Sequence, residues 1–399
     1  MIANNFASFQ VKSLNLFSTW AEIDLDALAF NFNQVRNYAG KDKKILAVVK
    51  ANAYGHGLEM ISRELESLGV DFLGVALVKE GIQLRKAGIK KPILVLGGVL
   101  PFQIEEVVNF KLTPVVIDLQ SANLLEAEGK KQKQSIPVHI KIDTGMNRLG
   151  IPWQKAKEFF TYFKSLKHLE LEGVLSHFSS AHLTDRASQK FSTEQMKRFR
   201  EVLSILRKLN FNPPLVHMAN SAAVIEGLGT EEFNMVRAGI MLYGSYPSEE
   251  LKSRIELKPV MSVKSQIIQI KDLPYHSPIS YGRTFYTKKK SRIAVIGIGY
   301  GDGYPFRISN RGKVLIKGEK VPLVGSICMD LMMADVTQLA EVKSGEEVVI
   351  FGEQGKVSIT VEEMANWAET IPYEILCGIS SRVSRVYKKG GEYLNYPAK

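Results

Sequence analysis

Short apolar runs recur along residues 45–244, and amphipathic stretches separate most of them. The amphipathic stretches at 57–68, 153–163 and 192–209 carry apolar residues at helical spacing. The apolar runs have the length of buried strands and lie at 45–49, 72–78, 92–98, 112–118, 138–144, 169–178, 215–220 and 234–244. Eight strands that alternate with helices over about 200 residues predict a (β/α)8 TIM-type barrel rather than an open sheet.

The pattern changes after residue 257. Strand-length runs separated by Gly, Pro and charged turns follow, with one late helical stretch. The strand-length runs lie at 260–270, 292–298, 312–316, 321–324 and 347–351, and the helical stretch lies at 361–367. We therefore expect residues 258–399 to form a mainly β C-terminal domain. Residues 19–257 are expected to form the barrel domain, in which 19–25 alternate like a strand and 26–36 like a helix.

Residues 1–18 are expected to be a loose N-terminal extension. They lack the basic start, apolar block and small-residue cleavage site of a secretory signal. An organelle transit peptide is a lesser alternative, since no acidic residue precedes Glu22.

Composition indicates a soluble protein with two domains. The chain has 399 residues and 45% hydrophobic content, and no apolar run approaches the length of a membrane span, which is ~20 residues. Two cysteines, Cys328 and Cys377, are too few for a disulfide framework and favour a reducing cytoplasm.

The formal net charge of +11 raises the question of a nucleic-acid partner. The basic clusters at 41–44, 288–290 and 388–389 are short, far apart and not interleaved with aromatic residues. Nucleic-acid binding is therefore not expected. A phosphorylated cofactor and a carboxylate substrate would explain part of the positive charge.

Lys50 ends the first apolar run and is followed at once by a Gly-containing turn. In an alternating strand, Leu46, Val48 and Lys50 share one face, which would bring an amine from an apolar environment to the mouth of the barrel. Desolvation there favours the neutral amine, the form that reacts with carbonyl groups. The alternative is an ordinary solvated lysine that closes a strand.

The segment at 47–57, AVVKANAYGHG, resembles the cofactor-lysine motif of the alanine racemases, in which the lysine carries pyridoxal 5'-phosphate (PLP). The resemblance extends over about residues 19–387. It implies the fold-type III architecture, a PLP-binding barrel followed by a β domain. Further segments that are similar to this family lie at 141–150, 278–285, 299–303, 326–330 and 370–374.

The fifth predicted strand carries His139, Lys141 and Asp143 on one face. Three ionisable groups in a barrel interior are costly unless paired, so this face is expected near a functional site or around an internal Lys141–Asp143 ion pair. The resemblance implies that Arg148 contacts the cofactor and the substrate side. It also makes Lys141 a candidate carbamate, an anion that would orient Arg148.

Strands six to eight end in further polar residues. His177 is either a satisfied core histidine or a site residue, and with His182 it forms no metal-ligand set, so zinc is not expected. In barrels, the loops after strands seven and eight commonly hold a phosphate. The resemblance implies that the phosphate ligands are Asn220, Ser221, Gly239 and Ile240, together with Tyr54.

Arg237 bears on the mechanism. Many PLP enzymes pair the pyridine nitrogen with a carboxylate, which keeps that nitrogen protonated. An arginine cannot accept that proton and stays cationic, so the ring nitrogen should remain unprotonated and the ring should withdraw electrons less strongly. This suits an enzyme whose only task is to return a proton to the substrate.

Racemisation is simplest with one base on each face of the substrate carbon, and Lys50 supplies one. The segment at 278–285 resembles the one that bears the family's second base, a tyrosine donated across a dimer interface; here it is Tyr281. A phenol needs cationic or hydrogen-bonded support for this role. The resemblance supplies it through His177 and Arg237. The alternative is a half-exposed turn tyrosine.

The remaining implied roles lie in the β domain. Met329 would offer its backbone to the substrate carboxylate, and Tyr373 would form a gate with Tyr281, whose bulk favours alanine. The glycine-rich segment at 299–303 departs from the dinucleotide fingerprint, so NAD is not expected. Supporting positions behind the site are Lys141, His217, Tyr300 and Asp330.

The expected function is therefore a cytoplasmic, homodimeric, PLP-dependent alanine racemase that supplies D-alanine for peptidoglycan. A broad-specificity or serine racemase stays open, because pocket size depends on side-chain placement. A fold-type III amino-acid decarboxylase would place a carboxylate at the ring nitrogen, and Arg237 argues against it. A PLP carrier without catalysis would have no reason to retain Tyr281.

Overall fold

The computed structural model describes residues 18–394, which divide into two compact units. The barrel unit comprises residues 29–53 and 57–258, and the sheet unit comprises 18–28, 54–56 and 259–394. The predicted extension, apart from Ser18, lies outside the described residues. The chain begins with β1 (Thr19–Asp24) and α1 (Leu25–Ala39), and the boundary between the units falls within α1.

Eight parallel strands close into a barrel, which confirms the predicted fold class. The central strands are buried in near-continuous apolar runs, as expected where both faces of a sheet are covered. The ring closes because β10 pairs with β2 and β5 pairs with β6. The strands are β2 (Lys44–Val48), β3 (Phe72–Val75), β4 (Ile93–Val95), β5 (Thr113–Val116), β6 (Ile136–Asp143), the short β7 (Ile151–Pro152) beside β6, β8 (Leu169–Leu175), β9 (Leu215–His217) and β10 (Met235–Ala238).

Helices connect successive barrel strands. The helix α2, for example, buries Leu58, Ile61 and Leu65 at helical spacing. The helices of this unit after α1 are α2 (Leu58–Ser67), α3 (Val78–Lys86), α4 (Ile104–Asn109), α5 (Leu119–Gln132), α6 (Ala156–Phe163), α7 (Arg186–Lys208) and α8 (Ser221–Glu226).

The sheet unit contains a mixed sheet with strand order β16-β15-β18-β11-β1-β20-β21, to which β14, β17 and β19 attach. A buried cluster of Ile279, Ile293 and Val324 packs in this unit. Its later strands are β11 (Met261–Leu273), β12 (Pro278–Ile279), β13 (Phe285–Tyr286), β14 (Ser291–Ile296), β15 (Lys313–Ile316), β16 (Glu319–Pro322), β17 (Met332–Asp335), β18 (Glu347–Gln354), β19 (Val357–Ile359), β20 (Ser384–Lys389) and β21 (Glu392–Tyr393), and its helices are α9 (Val361–Ala368) and α10 (Pro372–Gly378).

The first strand differs from the expectation that residues 19–25 belong with the barrel. The strand β1 pairs antiparallel with β11 and parallel with β20. Each of the eight barrel strands already has a neighbour on both sides, and β7 pairs only with the last two residues of β6. A strand between β11 and β20 has hydrogen-bonding partners on both sides.

Within residues 18–394, no helix combines the length and the apolar character that crossing a membrane requires.

Candidate active site

The turn after β2 has an uncommon backbone. The sequence pattern predicted that Lys50 lies on the alternating face of the strand. The strand instead ends at Val48, and Lys50 begins the following turn. Residues 51–54 all have left-handed φ values, between +51° and +55°. Each such residue other than glycine costs about 1–2 kcal/mol relative to a right-handed one. The surrounding contacts must therefore hold this turn in place.

Hydrogen bonds within the barrel unit provide that support. Ala53 N donates to Val49 O at 2.8 Å, and the Asn52 side chain accepts from Leu58 N at 2.8 Å. Glu80 Oε1 accepts from Ala51 N at 2.6 Å. The other carboxylate oxygen of Glu80 accepts from the backbone N–H groups of residues 76 and 77, at 2.9 and 3.0 Å. One carboxylate thus ties the Lys50 turn to the next βα loop.

Sequence reasoning missed Glu80. The available signal was weak: a glutamate stands three residues after the residue that precedes α3, the position from which a side chain reaches back to the helix start. Its further contact with Ala51 could not be foreseen, because that contact joins two separate loops.

Arg237 is the centre of a buried polar network. Its Nη1 donates to His217 Nδ1 at 2.9 Å, and its Nη2 lies 3.0 Å from His177 Nδ1. The same Nη2 donates to the backbone carbonyls of Ser176 and Met218, at 2.7 and 2.9 Å. Only 4% of Arg237 is exposed. A guanidinium can only donate, so both histidine Nδ1 atoms are acceptors.

Burial and the Arg237 charge lower the pKa of both His177 and His217 well below the ordinary value. Burial, with a smaller contribution from Arg148, also lowers the pKa of Arg237 to about 9. At pH 7 both imidazoles are therefore neutral and the guanidinium is still mostly protonated.

Several cations influence one another around this network. Burial first, and then the charges of Arg148, Arg237 and Lys50, lower the pKa of Lys141 to about 8, against an opposite effect of Asp143. Asp143 Oδ1 accepts hydrogen bonds from the backbone N–H groups of residues 145 and 147, at 2.8 and 3.1 Å. It therefore also stabilises the loop that carries Arg148. This excess of positive charge favours an anionic ligand.

The ends of β9 and β10 are joined by hydrogen bonds. Ser221 Oγ accepts from Gly239 N at 2.9 Å, and the Asn220 side chain caps α8 by accepting from Ala223 N at 3.1 Å. Ser221 and Ile240 are both buried. A serine that accepts one hydrogen bond still has its own O–H to donate. The four residues implied as phosphate ligands thus stand at the carboxyl ends of two adjacent barrel strands.

The sheet unit carries the other predicted site residues. Tyr281 is 76% exposed and Met329 is 53% exposed, and Tyr300 is also exposed. Gly301 N donates to Met329 O at 2.8 Å, and Tyr300 N donates to the carbonyl of residue 328 at 3.0 Å. A Cβ at Gly299 would lie 2.4 Å from Met329 O, so the close approach of the two loops requires glycine there.

Sequence reasoning also missed Arg382. Its Nη2 donates to Asp330 Oδ1 at 2.7 Å, and its Nε lies 3.4 Å from Asp302 Oδ1. Asp302 in turn accepts from Gly299 N at 3.0 Å. Arg382 therefore links both loops beside Met329. No local pattern marks it, since its partners are 52 and 80 residues away along the chain.

Tyr54 and Tyr373 contact each other within the sheet unit, with ring centroids 6.1 Å apart. Burial, and then the neighbouring Tyr373, raise the pKa of Tyr54. Burial raises the pKa of Tyr373 to about 12. Both phenols therefore keep their protons at neutral pH and act as hydrogen-bond donors.

Comparison with known proteins identifies the family. Residues 23–247 match the family described as alanine racemase, N-terminal domain, and residues 260–387 match the alanine racemase, C-terminal domain. The chain is 45% identical over 370 residues to an alanine racemase of Halothermothrix orenii, which covers 93% of this chain and 97% of that protein.

Solved structures agree with this family. The alanine racemase of Clostridium difficile 630 is 40% identical, with a TM-score of 0.89 over 95% of this chain and 98% of that one. A Bartonella henselae alanine racemase with covalently bound pyridoxal phosphate is 30% identical, with a TM-score of 0.83 over 93% of this chain and 100% of that one. The chain described here belongs to the alanine racemase family.

Proposed function

We propose that this protein is a PLP-dependent isomerase that interconverts L-alanine and D-alanine by a two-base mechanism. The observation that carries the proposal is the donor-only contact network of Arg237, in the barrel unit of a family member. Among residues 18–394, Arg237 makes no ion pair with a carboxylate, and its four polar contacts are two carbonyls and two histidine nitrogens.

The residues of the barrel unit fit PLP. The cationic groups of Lys50, Arg148 and Arg237 suit its negative charge, and the donors at the ends of β9 and β10 suit a phosphate. Lys50 would hold it covalently. The remaining proposed contacts from this unit are Arg148, His177, Asn220, Ser221, Arg237, Gly239 and Ile240, and those proposed from the sheet unit are Tyr54 and Tyr373. When bound, PLP would withdraw electrons from the substrate and so acidify its α-proton.

Arg237 would present a donor rather than an acceptor to the cofactor ring nitrogen. A guanidinium cannot accept a hydrogen bond from a protonated ring nitrogen, so that nitrogen would stay unprotonated and the ring would be a moderate electron sink. The network of His177, His217 and two carbonyls fixes the guanidinium in one orientation. This moderation favours return of the proton over side reactions, as racemisation requires.

Lys50 would exchange the α-proton on the D face and Tyr281 on the L face. In the proposal, Tyr281 acts on the barrel of a second copy, so the enzyme works as a homodimer with shared sites. The exposure of Tyr281 supports this, because its ring is free of cover within its own unit. Met329, Phe306 and Ile371 are further exposed apolar side chains of the same unit.

Two further assignments complete the site. Met329 would bind the substrate carboxylate through its backbone, in a loop held by Tyr300 and by the Arg382–Asp330 ion pair. Lys141 would react with carbon dioxide to give a carbamate that orients Arg148. Its pKa of about 8 supports this, because carbamate formation requires the neutral amine.

We further propose that the product serves peptidoglycan synthesis in the cytoplasm. Cys328 and Cys377 are thiols rather than a disulfide, which suits a reducing compartment.

The test is to incubate the purified holoenzyme with L-alanine and to separate the enantiomers by chiral chromatography. We expect D-alanine to accumulate until both forms are equal. L-serine, L-lysine and L-ornithine are assayed in parallel, with trapping of carbon dioxide. Fast serine turnover would indicate a broad-specificity racemase, and evolved carbon dioxide would indicate a decarboxylase. A holoenzyme that is inert toward every amino acid would contradict catalysis altogether.

A further inference from the structure

The strand β8 contains a bulge at Glu172. Its pairing with β6 joins Val138 to Leu171 and His139 to Gly173, so the register skips Glu172. A bulge changes the direction in which a side chain points, and bulges are usually specific features of a fold rather than defects. Here the bulge brings Glu172 Oε2 to 3.1 Å from His139 Nε2.

Glu172 ends a chain of hydrogen bonds that begins at Arg237. His217 Nδ1 accepts from Arg237, which leaves His217 Nε2 as the protonated nitrogen. That nitrogen lies 2.8 Å from His139 Nδ1 and donates to it. His139 therefore carries its proton on Nε2 and donates to Glu172. Every bond in the series has one direction, set by a cation at one end and an anion at the other.

The protein makes room for this chain. A Cβ at Gly173 would lie 2.5 Å from both Cε1 and Nδ1 of His139, so only glycine leaves space for the ring. His139 and His217 are fully buried, with ring centroids 5.0 Å apart, and Phe72 packs edge-on against His139. Side-chain exposure of Glu172 is 25%, so the chain runs from the buried guanidinium to a carboxylate that reaches solvent.

We infer that Glu172 is a positioning residue for Arg237: its carboxylate accepts the last hydrogen bond of the chain and so holds the rings of His139 and His217, and through them the guanidinium, in one orientation. This inference rests on the proposed function, since it assigns Arg237 the contact with the cofactor ring. A carboxylate that sits directly on a buried arginine neutralises it, whereas a carboxylate two rings away orients it while Nη1 and Nη2 donate to neutral acceptors.

The first test reads the tautomers directly. The protein is labelled with ¹⁵N-histidine, and long-range ¹H–¹⁵N spectra report which ring nitrogen of each histidine is protonated. We expect His139 and His217 to be neutral Nε2–H tautomers in the wild-type protein. In Glu172→Leu, which removes the terminal acceptor, the Nε2–H of His139 loses its partner, so the His139 signal should shift and its Nε2 proton should exchange faster with water. A wild-type His139 protonated at Nδ1, or an unchanged His139 signal in Glu172→Leu, would overturn the inference.

The second test reads the effect on catalysis, with Glu170→Gln as the matched control. Glu170 is exposed and lies two residues away on β8, so this control removes the same charge from the same strand. Partners that orient metal-binding histidines typically affect function by 10–100-fold. By analogy we expect Glu172→Leu to lower kcat by about tenfold with KM nearly unchanged, and Glu170→Gln to leave kcat unaltered.

Gly173→Ala breaks the chain in the middle without changing a charge, and we expect it to lower kcat as Glu172→Leu does. An altered His139 signal together with a normal kcat would overturn the positioning role. The two levels of inference fail separately. If the wild-type enzyme does not racemise alanine, the proposed function is wrong. The histidine spectra still decide whether Glu172 holds the two rings.

Discussion

Removal of the Ser221 hydroxyl tests the phosphate-binding assignment. In Ser221→Ala, the Gly239 N–H that donates to Ser221 Oγ at 2.9 Å loses its acceptor in a buried setting. An orphaned buried donor costs about 1–3 kcal/mol, so the free energy of unfolding of the apoprotein should fall by that amount. The loss should appear as a lower midpoint in urea denaturation.

The same substitution should weaken cofactor binding by a separate amount. A hydrogen bond to a charged group contributes about 1.5–3 kcal/mol, which corresponds to a loss in PLP affinity of roughly 10–150-fold. Titration of the apoprotein with PLP, followed by absorbance, measures the Kd. Without PLP, only the loss of stability remains, so measurements on the apoprotein separate the two contributions.

Ser192→Ala is the matched control. Ser192 is also buried, and its hydroxyl has no hydrogen-bond partner among residues 18–394. Because its removal breaks no hydrogen bond, the denaturation midpoint should not fall and the PLP affinity should stay unchanged. If Ser221→Ala lowers stability but binds PLP as the wild-type protein does, the hydroxyl only joins β9 to β10 and the phosphate assignment is wrong.

Three further outcomes follow. Tyr281→Phe should bind PLP normally and lose about 10²–10⁴-fold in kcat, with Tyr275→Phe, an exposed phenol of the same unit, as a control that stays active. Because Lys141 has a lowered pKa of about 8, its amine is protonated below that pH and neutral above it. The ¹³C signal of a carbamate formed with ¹³C-bicarbonate should therefore grow from pH 7 to pH 9, and should be absent in Lys141→Met. Glu80→Ala should remove three backbone hydrogen bonds and slow covalent attachment of PLP by ~tenfold, measured by borohydride trapping. An unchanged rate would show that the turn keeps its conformation without Glu80.

The sequence pattern predicts the barrel well because its strands are buried on both faces and its helices are amphipathic. These are local properties that periodicity records. All eight predicted barrel strands are present, although every one of them ends earlier than its apolar run does. The run at 45–49 shows why: apolar character continues to Val49, but pairing stops at Val48 where the left-handed turn begins.

The features that the pattern could not show depend on distant partners. The alternation at 19–25 indicates a strand but does not say which sheet it joins, and β1 pairs with segments more than 230 residues away. The bulge at Glu172 exists only in the register between β8 and β6. Residues 51–54 are left-handed although none of them is glycine, the residue that would have indicated this conformation in the sequence. The turn also depends on Glu80 from the next loop.

The central claim is that the two bases of one site come from two copies of the chain, and subunit complementation tests it most directly. Lys50→Ala and Tyr281→Phe are each expected to be nearly inactive. Co-expressed with different affinity tags, they form mixed dimers in which one site contains both substitutions and the other contains neither.

If half of the dimers are mixed and each has one intact site, the mixture should recover about one quarter of the wild-type activity. Isolated mixed dimers should reach about one half. Recovery of no activity from mixed dimers that bind PLP would contradict the shared site, because both bases would then have to come from the same chain.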